Sequence, residues 1–507
     1  MEQLDQSVHQ RFSSRLGFIL SVIGIAVGTG NIWRFPRIAA QNGSDTGAGA
    51  FLVAWVIFLF LWSIPLVMAE YALGRKCRMG VVGTITKIAG EKFAWMGAFM
   101  TFVTAAITFF YSVIVGWCIY YFIQMLINPL PMSTETAMKT WDSYQQGGWP
   151  LITHAVVMGL GMLAIWRGIT SIEKINKLLI PILLTIVICS VIRALTLPGA
   201  WAGVGYLFTP EWRQLAQPKI WMEALTQNAW DVGAGWGLYL TYAAYIKREH
   251  GIVKNAFITP IANNTVSLLA ALMVFGTVFA VLQTEMSMAR PEVLEIMKTS
   301  GPASTGLTFI WMPQLFERMF LGRPLAILFF LGLTFAGFSS LIAQLELPVR
   351  VCIDAGLKRS RAILMVVVIS WIVGIPSAIH LKILTNQDFV WGYALLISGA
   401  LVAFGVMRYG VTRLRKEELC IDENDWKLGR WWDIVLMGFV PLGAVVLLVW
   451  WLVKEARPGQ WYNPFDPTSV MNCLLQWFVV LFILIMTGRR LGRRSVKISQ
   501  KTNQTNN

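Results

Sequence analysis

The sequence predicts an all-α polytopic membrane protein of about twelve transmembrane helices, ten of them in two inverted repeats of five, followed by two extra helices. Two observations carry that prediction. Apolar runs of about 20 residues, the length that crosses a bilayer core, recur along nearly all of the 507 residues. Two of those runs, five apart, are interrupted by clustered glycines next to polar groups, and an odd number of spans per repeat inverts the second copy. The chain is 56% hydrophobic and 14% charged, which leaves no large stretch for a soluble domain.

The first interruption is Gly24-Ile25-Ala26-Val27-Gly28-Thr29-Gly30-Asn31-Ile32-Trp33-Arg34-Phe35-Pro36. Each glycine weakens helical backbone by about 1 kcal/mol, and in hydrocarbon every freed N–H or C=O needs a partner. Asn31 and Arg34 follow directly, and a guanidinium at the centre of a membrane helix costs at least about 2.5 kcal/mol unless it meets water or a partner. The segment is therefore read as lining a polar path. A small-residue packing face at Gly24 and Gly28 is the simpler alternative, but it leaves Asn31 and Arg34 unexplained.

Spans are expected near 16–39, 49–74, 94–127, 150–167, 175–197, 220–246, 256–284, 325–354, 361–380, 387–408, 432–454 and 468–488. In domain terms, 1–15 is a cytoplasmic N-terminal segment and 16–490 the transmembrane domain, and 491–507 is a cytoplasmic tail, disordered after Lys497. The repeats fall at about 16–197 and 220–408, with the two extra helices at about 432–488. The connection from 285 to 324 is expected to fold back onto the membrane face through Leu307-Thr308-Phe309-Ile310-Trp311, where it could serve as a lid. Trp149, Trp432 and Trp461 at span ends fit an interfacial belt.

The sixth span repeats the pattern of the first in Gln227-Asn228-Ala229-Trp230-Asp231-Val232-Gly233-Ala234-Gly235-Trp236-Gly237. Such pairs of interrupted helices point to a transporter whose half-helix ends hold substrate and ions near the midplane. Oxygen donors also come from Asn263-Asn264-Thr265 and from Ser339-Ser340. Carbonyl, hydroxyl and amide oxygens suit hard monovalent cations, although Ser339 and Ser340 alone also read as helix-packing residues.

The net charge of +15 does not indicate nucleic acid, because the basic residues cluster in alternate short connections. They report orientation and put both termini in the cytoplasm. The six cysteines are scattered, without disulfide or metal spacing, which favours a bacterial inner membrane. No cleavable signal peptide is expected, since a polar start runs into a full span. The four histidines are dispersed and no nucleophile–base constellation or phosphate loop appears, so the chain is not read as an enzyme.

The motifs Arg15-Leu16-Gly17, Ala26 to Pro36, Glu70 to Arg75, Trp221 to Gly237, Thr241 to Tyr245 and Gly306 to Phe309 resemble the neurotransmitter:sodium symporter family over most of the chain. The resemblance implies a LeuT-type fold with helices 1 and 6 broken. It implies a first sodium site from Ala26, Asn31, Asp231, Asn263 and the substrate carboxylate, with Asn264 a rival for Asn263. A second sodium would use Gly24, Val27, Ala336, Ser339 and Ser340. Substrate would meet Ile25, Ala26, Thr29, Gly30, Ile107, Tyr111, Trp230, Asp231, Gly233, Trp236, Ser340 and Gln344. The implied gates are Arg34 with Asp388 outside, under the Trp230 lid, and Asp354 with Arg11 and Tyr245 inside, His9 standing where the usual arginine is. Glu70 matches a residue that braces the broken helices, and Glu346 matches none.

Two departures bear on chemistry. Gly28 stands where amine-carrying relatives have an Asp, which favours a zwitterionic amino acid that brings its own carboxylate to the sodium. Asp231 stands where relatives have Ser or Thr, beside a chloride position in which Trp55 replaces a Tyr and which Ser267 leaves neutral. An ionised Asp231 would replace the chloride charge; a protonated, locally bonded Asp231 is the alternative. The expected function is sodium-coupled, chloride-independent symport of an apolar or aromatic amino acid by a cell-membrane protein, monomeric or homodimeric, whose partners are substrate and lipid. Proton coupling through Asp231 and a non-transporting membrane sensor are the rivals.

Overall fold

A computed structural model describes residues 10–247, 250–298, 306–421, 423–456 and 461–505. Among these residues every regular element is helical. Nine helices are long and apolar enough to cross a membrane, and two bent helix pairs raise that number to eleven. The sixth span falls below such a length because it is broken into Pro218–Asp231 and Leu238–Ala243.

The first span comprises Arg15–Ala26 and Thr29–Gln41, bent by 47°. Ser14 caps its start by accepting the Gly17 N–H at 3.0 Å. Val27 and Gly28 then take extended backbone, so the carbonyls at the end of the first half lose their helical donors. In the sixth span Gly233, Gly235 and Gly237 all adopt positive φ, at 72°, 90° and 85°. Three left-handed positions in five residues are affordable only for glycine. A Cβ on Gly235 would also sit 2.6 Å from the Gly399 Cα.

The freed N–H groups of the sixth span find a buried acceptor. Glu70, on the second span Gly49–Cys77, accepts from the Gly235 N–H at 2.6 Å and from the Leu240 N–H at 3.0 Å. Around the two breaks, Gly322–Asp354 packs along Glu91–Ile127 and also contacts Ile169–Leu195. The last two spans, Trp431–Glu455 and Val470–Lys501, are only 33% and 17% buried over their most apolar windows, so they lie outside this core.

Two expectations change. Trp432 is fully buried, its indole donating to the Pro65 carbonyl at 3.1 Å, and so does not belong to an interfacial belt, whereas Trp149 and Trp461 are exposed. The last helix, Val470–Thr505, continues past Lys497 in place of a disordered tail. The fold-back at Gly306–Trp311 does form, with Phe309 4.9 Å from Tyr121 between ring centroids. It packs on that side chain and on Trp117. Residues 299–305 and His9 lie outside the described residues.

Candidate functional site: a central chamber between two broken helices

A chamber of 320 Å³ opens between the two interruptions. Ile25, Ala26, Thr29 and Gly30 line it from the first span, Ile107 and Tyr111 from the third, and Trp230, Asp231, Gly233 and Trp236 from the sixth. Ser340 and Gln344 complete it from the eighth. The structure thus brings all twelve residues named above around one cavity. The Tyr111 hydroxyl lies 3.3 Å from both the backbone N–H and the hydroxyl of Thr29. A Cβ on Gly28 would come within 3.0 Å of that hydroxyl and of the Ser340 Oγ, so glycine keeps this corner open.

Two groups of oxygens flank the chamber. In one, the Ser340 hydroxyl is 3.2 Å from the Gly24 and Ile25 carbonyls and 3.3 Å from that of Val27. Ser339 lies 3.5 Å from the Val27 carbonyl and 3.0 Å from that of Ala336. Neutral carbonyl and hydroxyl oxygens from a helix end and a facing helix form a donor set that fits a hard monovalent cation.

In the other group, Asn31 Oδ1 accepts the Gly28 N–H at 2.8 Å. Its Nδ2 donates to Asn263 Oδ1 at 2.8 Å and to the Ser267 hydroxyl at 2.7 Å. Ser267 in turn donates to Asp231 Oδ2 at 2.7 Å. Asp231 Oδ1 is buried without a hydrogen-bond partner. An orphaned carboxylate oxygen is costly in a membrane interior, and a cation would satisfy it. Asn263, rather than Asn264, joins Asn31; Asn264 accepts from Asn263 at 3.2 Å.

The model of the sodium:neurotransmitter symporter family matches residues 9–146 and 142–491. The chain belongs to that family. A sodium-dependent transporter of Methanocaldococcus jannaschii is 31% identical over 461 residues, covering 87% of this chain and 90% of the relative. The sodium-dependent serotonin transporter of Drosophila melanogaster is 26% identical, covering 90% and 79%. The crystal structure of MhsT in complex with L-phenylalanine superposes with a TM-score of 0.75 at 27% identity, covering 87% of this chain and 99% of that one. This symporter therefore has the LeuT-type fold, and its relatives are named as sodium-dependent transporters.

The two ends of the symporter's chamber differ. Towards the end away from the N-terminus, Arg34 and Asp388 both line the cavity, and among the described residues no ion pair joins them. The Arg34 guanidinium instead lies 5.2 Å over the Trp230 ring, which meets Trp236 edge-on at 5.7 Å. Towards the N-terminal end the packing is closed, and here one expectation is corrected. Arg11 is exposed and makes no ion pair with Asp354; the buried partner of Asp354 is Arg350, one turn earlier on the same helix, at 3.0 Å.

Sequence reading missed Arg350 although its spacing of four from Asp354 was visible. It also missed the partners of Glu346, which is fully buried and accepts from Tyr245 at 2.8 Å and from Arg359 at 2.6 and 3.1 Å. No spacing rule links residues 245, 346 and 359, so only the packing could. Ser267 was noted for its neutrality, and its bridge from Asn31 to Asp231 had no sequence signal.

Proposed function

We propose that this protein is a sodium-coupled symporter of zwitterionic amino acids with an apolar or aromatic side chain, working by alternating access and without chloride. The observation that supports this best is the joint position of Asp231 and Gly28. A fixed carboxylate stands beside the amide group of Asn31 and Asn263, while the place of an amine-binding acid is an open corner facing Tyr111.

In this reading Gly24, Val27, Ala336, Ser339 and Ser340 hold one sodium, and Ala26, Asn31, Asp231 and Asn263 hold another that also meets the substrate carboxylate. Tyr111 orients that carboxylate. Ile107, Trp230, Gly233, Trp236 and Gln344 surround the side chain. Arg34 and Asp388 close over the chamber on the outside, and Asp354 and Tyr245 belong to the inner closure. Asp231 supplies the negative charge that chloride brings elsewhere. Two sodium ions driven by 100 mV and a tenfold gradient supply roughly 7 kcal/mol, enough for a substrate gradient of about 10⁵.

The test is uptake of labelled amino acids into proteoliposomes under a sodium gradient, in chloride and in gluconate. Accumulation that needs sodium and ignores chloride is expected. Collapse in gluconate would overturn the chloride assignment; accumulation driven by a proton gradient without sodium would make Asp231 a proton carrier; uptake of monoamines alone would overturn the substrate class.

A further inference from the structure

The closed N-terminal end contains a cation that nothing in the family resemblance assigns. We infer that Arg350, carried by the eighth span itself, is the positive partner of the inner closure, and that Arg11 supplies no charge to it. The inference rests on the gate reading of Asp354 and Tyr245 given above.

Arg350 is 2% exposed and Asp354 9%, so both members of the pair are buried. Both members of it reach beyond their own helix. Arg350 Nη2 donates to the Arg78 carbonyl at 2.9 Å, and Asp354 Oδ2 accepts the Gly80 N–H at 2.5 Å. Both contacts seize the turn that follows the second span. That turn also holds the broken sixth span, because the Arg78 guanidinium donates to the carbonyls of Ala244 and Ile246. On its other face, the Arg350 guanidinium lies 5.0 Å over the Tyr245 ring.

One charged pair on the eighth span therefore ties down the end of the second span and the end of the sixth. An i, i+4 pair on one helix stays formed whether or not neighbouring helices move, and it keeps both charges compensated in either state. An N-terminal arginine would have to be pulled out of its pair at every opening. Arg11 is exposed, and its neighbour Phe12 docks by a backbone hydrogen bond to Tyr245 at 3.2 Å and by ring packing on Phe18 and Tyr242. The described N-terminal stretch is thus held by an apolar plug, a main-chain bond, and hydrogen bonds from Ser13 to Glu173 and from Gln10 to the Arg167 carbonyl, none of which involves Arg11.

Cys77 is a native reporter, being 3% exposed and adjacent to Arg78. The experiment is N-ethylmaleimide labelling of the full-length protein in nanodiscs, without sodium or substrate, read at Cys77 by peptide mass spectrometry. Arg350→Gln should speed Cys77 labelling at least tenfold, Arg350→Lys should restore it to within threefold of the parent, and Arg11→Gln should leave it unchanged. Should Arg350→Gln alone not fold, Arg350→Gln with Asp354→Asn removes the pair without stranding a buried charge, and the same acceleration is expected. Faster labelling in Arg11→Gln, or unchanged labelling in both Arg350→Gln and the double variant, would overturn the inference. Because no transport is measured, failure of the symport assignment would show in the uptake assay and not here.

Discussion

The hydroxyl of Ser267 donates to Asp231 at 2.7 Å and accepts from Asn31 at the same distance, which joins the broken sixth span to the broken first through the seventh. One carboxylate oxygen is thereby satisfied and the other is buried without a hydrogen bond. An ionised carboxylate held in this way needs a cation.

Replacing Asp231 with Asn should weaken sodium-dependent substrate binding by about 1.5 to 3 kcal/mol, roughly 10- to 150-fold in apparent affinity, the range for losing a charged hydrogen-bonding group. Sodium titration of ligand binding to purified protein measures it. An unchanged sodium requirement would remove Asp231 from the ion site.

Ser340 converges on the carbonyls of Gly24, Ile25 and Val27. Ser340→Ala should raise the sodium concentration for half-maximal binding about 5- to 30-fold, corresponding to about 1 to 2 kcal/mol, with little change in melting temperature in the absence of sodium. Equal loss of melting temperature with and without sodium would assign the hydroxyl to helix packing.

Gly28→Ala tests the open corner. The added methyl would press on the Tyr111 and Ser340 hydroxyls at 3.0 Å, tighter than ordinary contact, so amino-acid binding should fall at least about tenfold while the protein still folds. Isothermal titration against monodisperse protein reads both outcomes, and retained affinity would place the substrate carboxylate elsewhere.

Glu70 holds the Gly235 and Leu240 N–H groups in a fully buried setting. Glu70→Ala should cost about 3 kcal/mol or more, since two freed donors lose their acceptor at once. A fall of several degrees in the thermal transition, followed by size-exclusion fluorescence, is expected; an unchanged transition would mean that the break needs no brace.

Outside the membrane, Glu417 is held down to about 2 by hydrogen bonds from Arg413, Lys76 and Tyr409. A depressed carboxylate stabilises above its unfolded value of 4.5 and loses that contribution as pH falls through its folded value. Acid titration should therefore show a limb between about pH 4.5 and 2 that Glu417→Gln removes, small because the group is exposed.

The sequence determined the class, the two interruptions and the ligand chemistry. Gly24 to Gly30 and Gly233 to Gly237 announce themselves because hydrocarbon does not forgive unpaired backbone, so a run of glycines beside Asn31 or Asp231 has few readings. The family motifs then named the residues that the fold gathers around one chamber. What only the tertiary structure decided are the pairings between distant spans: Ser267 as a bridge, Arg359 with Glu346, Arg350 in place of Arg11, and the burial of Trp432. Hydropathy and periodicity depend on each residue's own span, whereas an ion pair depends on which spans become neighbours and how each is rotated, and that is fixed by the packing of the whole bundle.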